Sequence, residues 1–295
     1  MAPEKKQELR ELGLQRIRDG KATVIVMAGG QGTRLGFAHP KGMYKIGLPS
    51  GKSIFQILVE RFFRVQMLAN SIYNLEADGR VPQEAIKCKM LVMTTLENHE
   101  ETFNFFAQNN FFGGTGDNFI FFKQSMLPAI STDGKIYMKS KSEISMSPNG
   151  NGALLSAVHM NQQVKEYIGS VDYIQIIGVD NVINKVLDPL HLGYTISRGY
   201  ELAIKTCEKR NAQEKVGVIG RRSGQYSVIE YSELSDELRN ATEDDGVSLK
   251  FRQGHILVLM LSAARMLELA QKSGELASLY HRAFKKIQHV ETESY

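Results

Sequence analysis

The stretch Val24-Ile-Val-Met-Ala-Gly-Gly-Gln-Gly-Thr-Arg-Leu-Gly36 constrains this chain more than any other part of it. Apolar, β-favouring residues run straight into a loop with glycines at 29, 30, 32 and 36, so a buried strand should end where backbone comes close to something. Glycine has no Cβ and tolerates positive φ. Successive bare N–H groups in such a loop form an anion-binding nest, to which Arg34 and Lys41 add two full positive charges. A nucleoside triphosphate is the expected guest. The competing reading is a tight strand-to-helix turn without a ligand.

Two better-known phosphate loops do not fit. A dinucleotide fingerprint needs glycine or alanine where this loop has Leu35. The later Gly47-Leu-Pro-Ser-Gly-Lys-Ser53 approaches a G-x-x-x-x-G-K-[ST] loop, but its glycine comes one residue late and Pro49 breaks the turn. Ser53 instead reads as a helix N-cap, with Gln56 completing a capping box ahead of Ile54, Phe55, Ile57 and Leu58.

The remaining pattern alternates. A charged helix is expected over 3–19, closed by Asp19-Gly20, with Leu9, Leu12 and Ile17 as its apolar stripe. A strongly apolar helix over 53–70 should pack on a sheet through Ile57, Leu58, Phe62, Val65 and Leu68, and 74–83 reads as an exposed loop. Strands follow at 86–93 and 118–123, with a helix over 98–109 between them and a flexible turn at 113–116. This β-α-β-α-β order implies a largely parallel sheet covered on both faces, with ligands beyond the carboxyl ends of its strands. A polar hairpin-like stretch at 138–146 precedes a helix running from 152 to about 167 and a buried strand over 172–179. Short strands are expected at 200–206, 216–219 and 226–231, the last two joined through Ser223-Gly224, with an exposed turn at 243–246 and amphipathic helices at 262–272 and 276–287.

At 295 residues and net charge +4 the chain suits one large α/β domain or two smaller ones, with anionic small substrates. No block of Lys and Arg interleaved with aromatics supports a nucleic-acid partner. The longest apolar run, Ile256–Ala264, is too short to span a bilayer, and the charged N-terminus lacks a signal-peptide core, so a cytoplasmic location without membrane attachment is expected. Cys88 and Cys207 sit in apolar surroundings outside any metal-ligand spacing and read as buried, reduced thiols. Asp180, at the carboxyl end of a buried strand, could hold Mg²⁺ or cap a following helix. Pro148-Asn-Gly-Asn-Gly152 could be a turn alone.

AGGQGTRLG followed by His39-Pro-Lys-Gly42 resembles the nucleotide-binding signature of the eukaryotic UDP-N-acetylhexosamine pyrophosphorylases, within the wider uridylyltransferase family. The resemblance continues through Phe121–Pro128, Ser147–Gly152, Gly178-Val-Asp-Asn181 and Val228–Glu233, and covers about residues 10 to 235. It implies a Rossmann-like nucleotide-diphospho-sugar transferase fold, α/β, with a mixed, mostly parallel central sheet flanked by helices. A helical segment over 1–20 would precede a nucleotidyltransferase domain over 21–295, with the family's usual C-terminal domain absent.

The resemblance also implies an activity: Mg²⁺-dependent joining of UTP and N-acetylglucosamine 1-phosphate to give UDP-N-acetylglucosamine and pyrophosphate. Arg34 and Lys41 would act on phosphates; Ala28, Gly29, Gly30, Gly32, Thr33, Gln124, Pro148 and Gly150 would bind the nucleotide. Gly150 would approach the uracil and Gln124 read its edge. Asn151, Glu230 and His255 would contact the sugar, and Asp180 the metal. Without the resemblance Glu230 reads equally well as a solvent-facing strand position. His255 stands in Phe251-Arg-Gln-Gly-His-Ile256, where family members carry asparagine in a Phe-Asn-Ala-Gly-Asn-Ile-like motif; a slipped alignment or a plain core histidine is the competing reading. The motifs fade beyond residue 265, and the family's further phosphate-binding lysine has no visible counterpart. Glucose or galactose 1-phosphate as the sugar, or a nucleotide-sugar-binding protein with little turnover, remain as rivals. The sequence carries no signal for oligomeric state.

Overall fold

The computed structural model describes residues 1–32 and 35–276. In chain order its main elements are α1 (Pro3–Arg18), β1 (Ala22–Met27), α2 (Ile54–Ala69), β2 (Met90–Thr94), α3 (His99–Gln108) and β3 (Phe119–Lys123). Short strands β4 (Met126–Pro128), β5 (Met138–Ser140), β6 (Glu143–Ile144) and β7 (Met146–Pro148) follow. Then come α4 (Ala153–Met160), α5 (Gln162–Gly169), β8 (Tyr173–Gly178), α6 (Pro189–Ser197) and β9 (Leu202–Glu208). The last group is β10 (Val218–Arg222), β11 (Gln225–Ile229), α7 (Asp236–Asn240), β12 (Gln253–Ser262) and α8 (Ala263–Gln271).

One mixed sheet runs in the order β11-β10-β12-β8-β1-β2-β3, with β9 also on β12. Its inner part, β8-β1-β2-β3, is parallel, and β12, β10, β11 and β9 extend it with antiparallel pairs. The expected mixed α/β architecture is therefore present. Alternation within each strand sends its side chains to two cores. Val24 and Val26 of β1, with Met90 and Val92 of β2, meet α1, α2, α3 and α6 on one face. Ile25 and Met27, with Leu91 and Met93, meet α4, α5 and α8 on the other. Strands buried on both faces need continuous apolar runs, which is why β1 reads as one. Each fully buried Phe or Leu in these layers adds about 1.5–3 kcal/mol of transfer free energy.

Several boundaries differ from expectation. The second strand begins at Met90 rather than 86, because the Lys87 and Cys88 N–H groups donate to Gln66 Oε1 at 3.0 and 2.7 Å instead of to a sheet neighbour. The single helix expected over 152–167 is two, broken at Asn161, whose extended backbone lets its side chain accept from Val164 N and cap α5. Ser53 does cap α2, its Oγ accepting from Gln56 N, but the Gln56 side chain donates to Glu60 and does not accept from Ser53 N, so only half a capping box forms. The buried stripe of α1 is Leu9, Gly13, Leu14 and Ile17, not Leu12. Glycine is needed because α1 lies against α6: a Cβ on Gly13 would stand 1.9 Å from Pro189 O, and one on Gly193 1.7 Å from Leu9 O. Cys88 is buried, and burial pushes its thiol up to about 12, whereas Cys207 is exposed, on β9, which lies off the main strand order and pairs only β12. Among the described residues, no helix is long and apolar enough to cross a membrane. The helix expected at 276–287 lies outside the described residues, apart from Leu276 at the end of a short helical turn.

Candidate active site

The carboxyl ends of the parallel strands carry the glycine loop, as that topology requires. Ala28 N donates to Met93 O at 2.7 Å, and Asn98 Nδ2 donates to Ala28 O at 3.0 Å. Asn98 is itself fully buried, its Oδ1 accepting from Thr95 N and Oγ1. Beyond Ala28 the loop folds onto its own return arm: Gly32 N donates to His39 O at 3.0 Å and Lys41 N to Gly30 O at 3.1 Å. The N–H groups of Gly29, Gly30 and Gln31 have no hydrogen-bond partner among the described residues. They are the nest, narrower than the four glycines suggested.

Each glycine of the loop has its own reason. A Cβ at Gly29 would meet Gln124 Nε2 at 2.1 Å, and one at Gly32 would meet Phe37 at 2.8 Å. Only Gly36 of the four has positive φ, at +66°. A Cβ on Gly30 would meet nothing within 4 Å among the described residues, so they do not require glycine there. Thr33 and Arg34, the latter expected to act on phosphates, lie outside the described residues.

Three sequence-distant segments join the loop. Gln124, after β3, is 5% exposed; its N–H donates to Thr94 O at 2.8 Å, its amide nitrogen packs on Gly29, and its Oε1 has no partner among the described residues. The Met126↔Pro148 register of β4 and β7 brings the Pro148–Asn151 turn alongside, and Asn149 bonds Ser125 through both backbone and side chain. Gly150 holds φ +81°, which the turn requires. From the third segment, Asp180 Oδ2 lies 3.6 Å from Lys41 Nζ, their side chains 63% and 24% exposed. The capping alternative for Asp180 fails, because the next α-helix, α6, is capped by Asp188.

The expected sugar contacts Glu230 and His255 also converge. Glu230 follows β11 rather than lying within a strand, and its carboxylate oxygens sit 3.4 Å from where a Cβ on Gly217 would stand. His255 N donates to Gly217 O at 2.7 Å. Burial lowers the His255 pKa against the opposing pull of Glu230, and its Nε2 is a buried nitrogen without a partner among the described residues. His255 opens a β-bulge in β12 at which Leu257 adopts φ +51°. The Leu257 methyl lies 3.2 Å from where Gly178 would carry a Cβ, two residues before Asp180. Asn151 is exposed, its carbonyl accepting from Leu154 N at 3.2 Å at the start of α4.

Four residues of this neighbourhood escaped sequence reading: Thr95, Asn98, Gly217 and Leu257. Asn98 carried a signal, an asparagine just ahead of a helix. Leu257 carried none, since nothing in an apolar strand marks a left-handed residue.

Similarity to known proteins agrees with this geometry. Residues 4–288 match the family model described as UTP–glucose-1-phosphate uridylyltransferase, so the match runs past residue 265, where the recognisable motifs stop. UDP-N-acetylglucosamine diphosphorylase 2 of Arabidopsis thaliana is 38% identical over 97% of this chain and 57% of its own. The UDP-N-acetylglucosamine pyrophosphorylase of Saccharomyces cerevisiae is 40% identical over 86% of this chain and 51% of its own. The crystal structure of the Trypanosoma brucei uridine diphosphate N-acetylglucosamine pyrophosphorylase, in complex with inhibitor, superposes with TM-score 0.79 at 32% identity, covering 94% of this chain and 53% of that one. This chain thus spans about half the length of the curated relatives it matches. A glycine nest, a buried amide beside it and a lysine–aspartate pair across it, on a sheet shared with such relatives, leave one assignment: the chain belongs to the UTP–glucose-1-phosphate uridylyltransferase family.

Proposed function

We propose that this chain binds UTP at the carboxyl ends of β1, β3 and β8 and transfers its uridylyl group to N-acetylglucosamine 1-phosphate. One observation carries the reading. Gln124 is buried against Gly29, and among the described residues neither its amide oxygen nor the N–H groups of the adjacent nest have a partner. A buried acceptor without a partner costs about 1–3 kcal/mol, and a base edge that donates to it removes that cost. In the transfer, an oxygen of the sugar phosphate attacks the α-phosphorus in line as the bond to the bridging oxygen breaks, and pyrophosphate leaves. Lys41 faces the α-phosphate, where negative charge grows; the nest amides and Arg34 hold the leaving pyrophosphate. Glu230 accepts from sugar hydroxyls, and His255 offers Nε2 to the acetamido side.

Among the described residues no three His, Cys, Asp or Glu side chains cluster, so a cage built from protein ligands alone does not fit. A single exposed carboxylate, Asp180, does fit Mg²⁺ held jointly by protein and phosphate oxygens. Bound there, the ion would neutralise phosphate charge. The Lys41 ammonium lies 3.6 Å from Asp180 beside that position.

The relatives' names, and not this geometry, favour N-acetylglucosamine over plain hexose. A cytoplasmic setting is supported by two free cysteines, one of them exposed. Pyrophosphate release, measured over a panel of sugar 1-phosphates with UTP, CTP and ATP, tests the reading. UTP with N-acetylglucosamine 1-phosphate should dominate. Equal rates with all three nucleotides would remove the uridylyl assignment, and nucleotide-sugar binding without release would leave a binding protein.

A further inference from the structure

A cavity of about 680 Å³ opens between α1, α2 and the segment joining β8 to α6, and none of the residues placed at the nucleotide or sugar site lines it. Lys6, Arg10, Arg61, Arg64 and Lys185 line it against one carboxylate, Asp188. That carboxylate is already committed, to Lys205 and, at 3.1 Å, to Leu190 N–H. Burial alone would raise the Asp188 pKa, but the hydrogen bond and charge of Lys205 outweigh it and hold the group below the usual carboxylate range. Five cations and one carboxylate leave this single cavity as positive as the whole chain, at +4.

Most donors of these cations are not spent on described neighbours, although the Lys185 charge also helps hold Asp188 down. The side chains of Lys6, Arg10 and Lys185 make no hydrogen bond or salt bridge with any described residue. Arg61 uses Nη1 on Asn184 O, at 3.1 Å, and on Val182 O, and Arg64 uses Nη1 on Tyr73 O at 2.7 Å. Each guanidinium has five donors, so most remain for a ligand. The wall behind them is built: buried Gln175 donates to Lys185 O at 3.0 Å and accepts from Leu187 N, fixing the segment that presents Lys185. Val65, Leu68, Val186 and Leu190 supply an apolar floor. The volume is that of a small-molecule site.

We propose that this cavity is a second anion site, which binds a phosphorylated organic metabolite carrying two or more anionic groups and a ring or apolar portion. Arg forks and a lysine rim suit phosphate oxygens, and the floor suits the organic part. The inference stands apart from the proposed transfer reaction.

Isothermal titration with ATP and with inorganic tripolyphosphate tests it, in a Lys41→Ala background that weakens competing capture at the glycine loop. The comparison is Lys6→Gln/Arg10→Gln/Lys185→Gln in the same background; all three positions are exposed, and an unchanged melting midpoint confirms the fold. Both probes should bind the Lys41→Ala protein and weaken at least about tenfold in the triple variant. The loss should shrink with added salt, because exposed charges are screened. Binding unchanged by the triple substitution, or no binding once Lys41 is removed, overturns the proposal.

Discussion

Gly29→Ala probes the contact between the glycine loop and the buried Gln124 amide. The added Cβ would lie 2.1 Å from Gln124 Nε2 and 3.1 Å from Thr95 Cγ2. Non-bonded heavy atoms prefer roughly 3.5–4 Å, so the amide must retreat by more than about 1 Å. It has little room, because Gln124 is 5% exposed and its backbone is held by Thr94 O. The φ of Gly29 lies outside the left-handed region, so alanine brings no backbone strain, and by itself would stabilise by about 0.4–1 kcal/mol through the unfolded chain. Overpacking of about 1–3 kcal/mol should win, for a net loss of about 1–2 kcal/mol. In a Gln124→Ala background the overlapping amide is gone, and the same change should fall within about 0.5 kcal/mol of neutral. Urea denaturation of the four proteins of this cycle measures the coupling, and kcat/KM for UTP against CTP shows whether the displaced amide reads the base. A coupling energy below about 0.5 kcal/mol would falsify the contact, whatever the kinetics.

Lys41→Ala should lower kcat by about 10²–10³-fold with the fold intact, as expected for loss of a charge-assisted contact made in the transition state; kcat/KM near the parental value under saturating Mg²⁺ would remove its role. His255→Asn places donor and acceptor side by side where imidazole has one nitrogen free, so preference for N-acetylhexosamine over plain hexose 1-phosphate should rise; unchanged preference puts His255 outside the pocket. Gly193→Ala drives a methyl to 1.7 Å from Leu9 O, backbone against backbone, and should cost about 3 kcal/mol or more in urea, while a near-neutral result would show that α1 and α6 can separate freely. Burial lowers the His191 pKa from 6.5 to about 4, with Lys205 adding to the shift. The unfolded chain then binds the proton more readily, so this term is fully present above pH 6.5 and is lost as pH falls toward 4, by at most about 3 kcal/mol. His191→Phe should flatten the stability–pH curve across that window, and an unchanged slope would reject the assignment.

Much of the fold was legible because it rests on local signals. An unbroken apolar run of β-favouring residues into glycines reads as a doubly covered strand opening a loop, and Ser53 ahead of a helical stripe announces α2. Boundaries failed where a distant side chain overrode the pattern. Gln66, 21 and 22 residues away, takes the N–H groups of Lys87 and Cys88, and Asn161 caps α5 where unbroken helical periodicity suggested one helix. Cys207 looks buried in its strand sequence, but exposure depends on where β9 sits in the sheet.

The site divides the same way. The glycines, Lys41 and Asp180 suggest phosphate chemistry through residue type and order near strand ends, whereas Gln124 owes its expected role to the family resemblance alone. Which atoms meet was decided by tertiary structure alone. The nest shrinks to Gly29–Gln31 because His39 O, the return arm of the loop, takes Gly32 N. Gly29 is small because a residue 95 positions later packs against it. Lys41 faces Asp180 because β1 and β8 pair in parallel, Met27 beside Gly178, which brings the segments after their carboxyl ends together. His255 is placed by a bulge at Leu257 whose positive φ no residue type foretells. Periodicity and capping act within a few residues and are written in sequence. Pairing register and close packing act between segments that only the folded chain brings together.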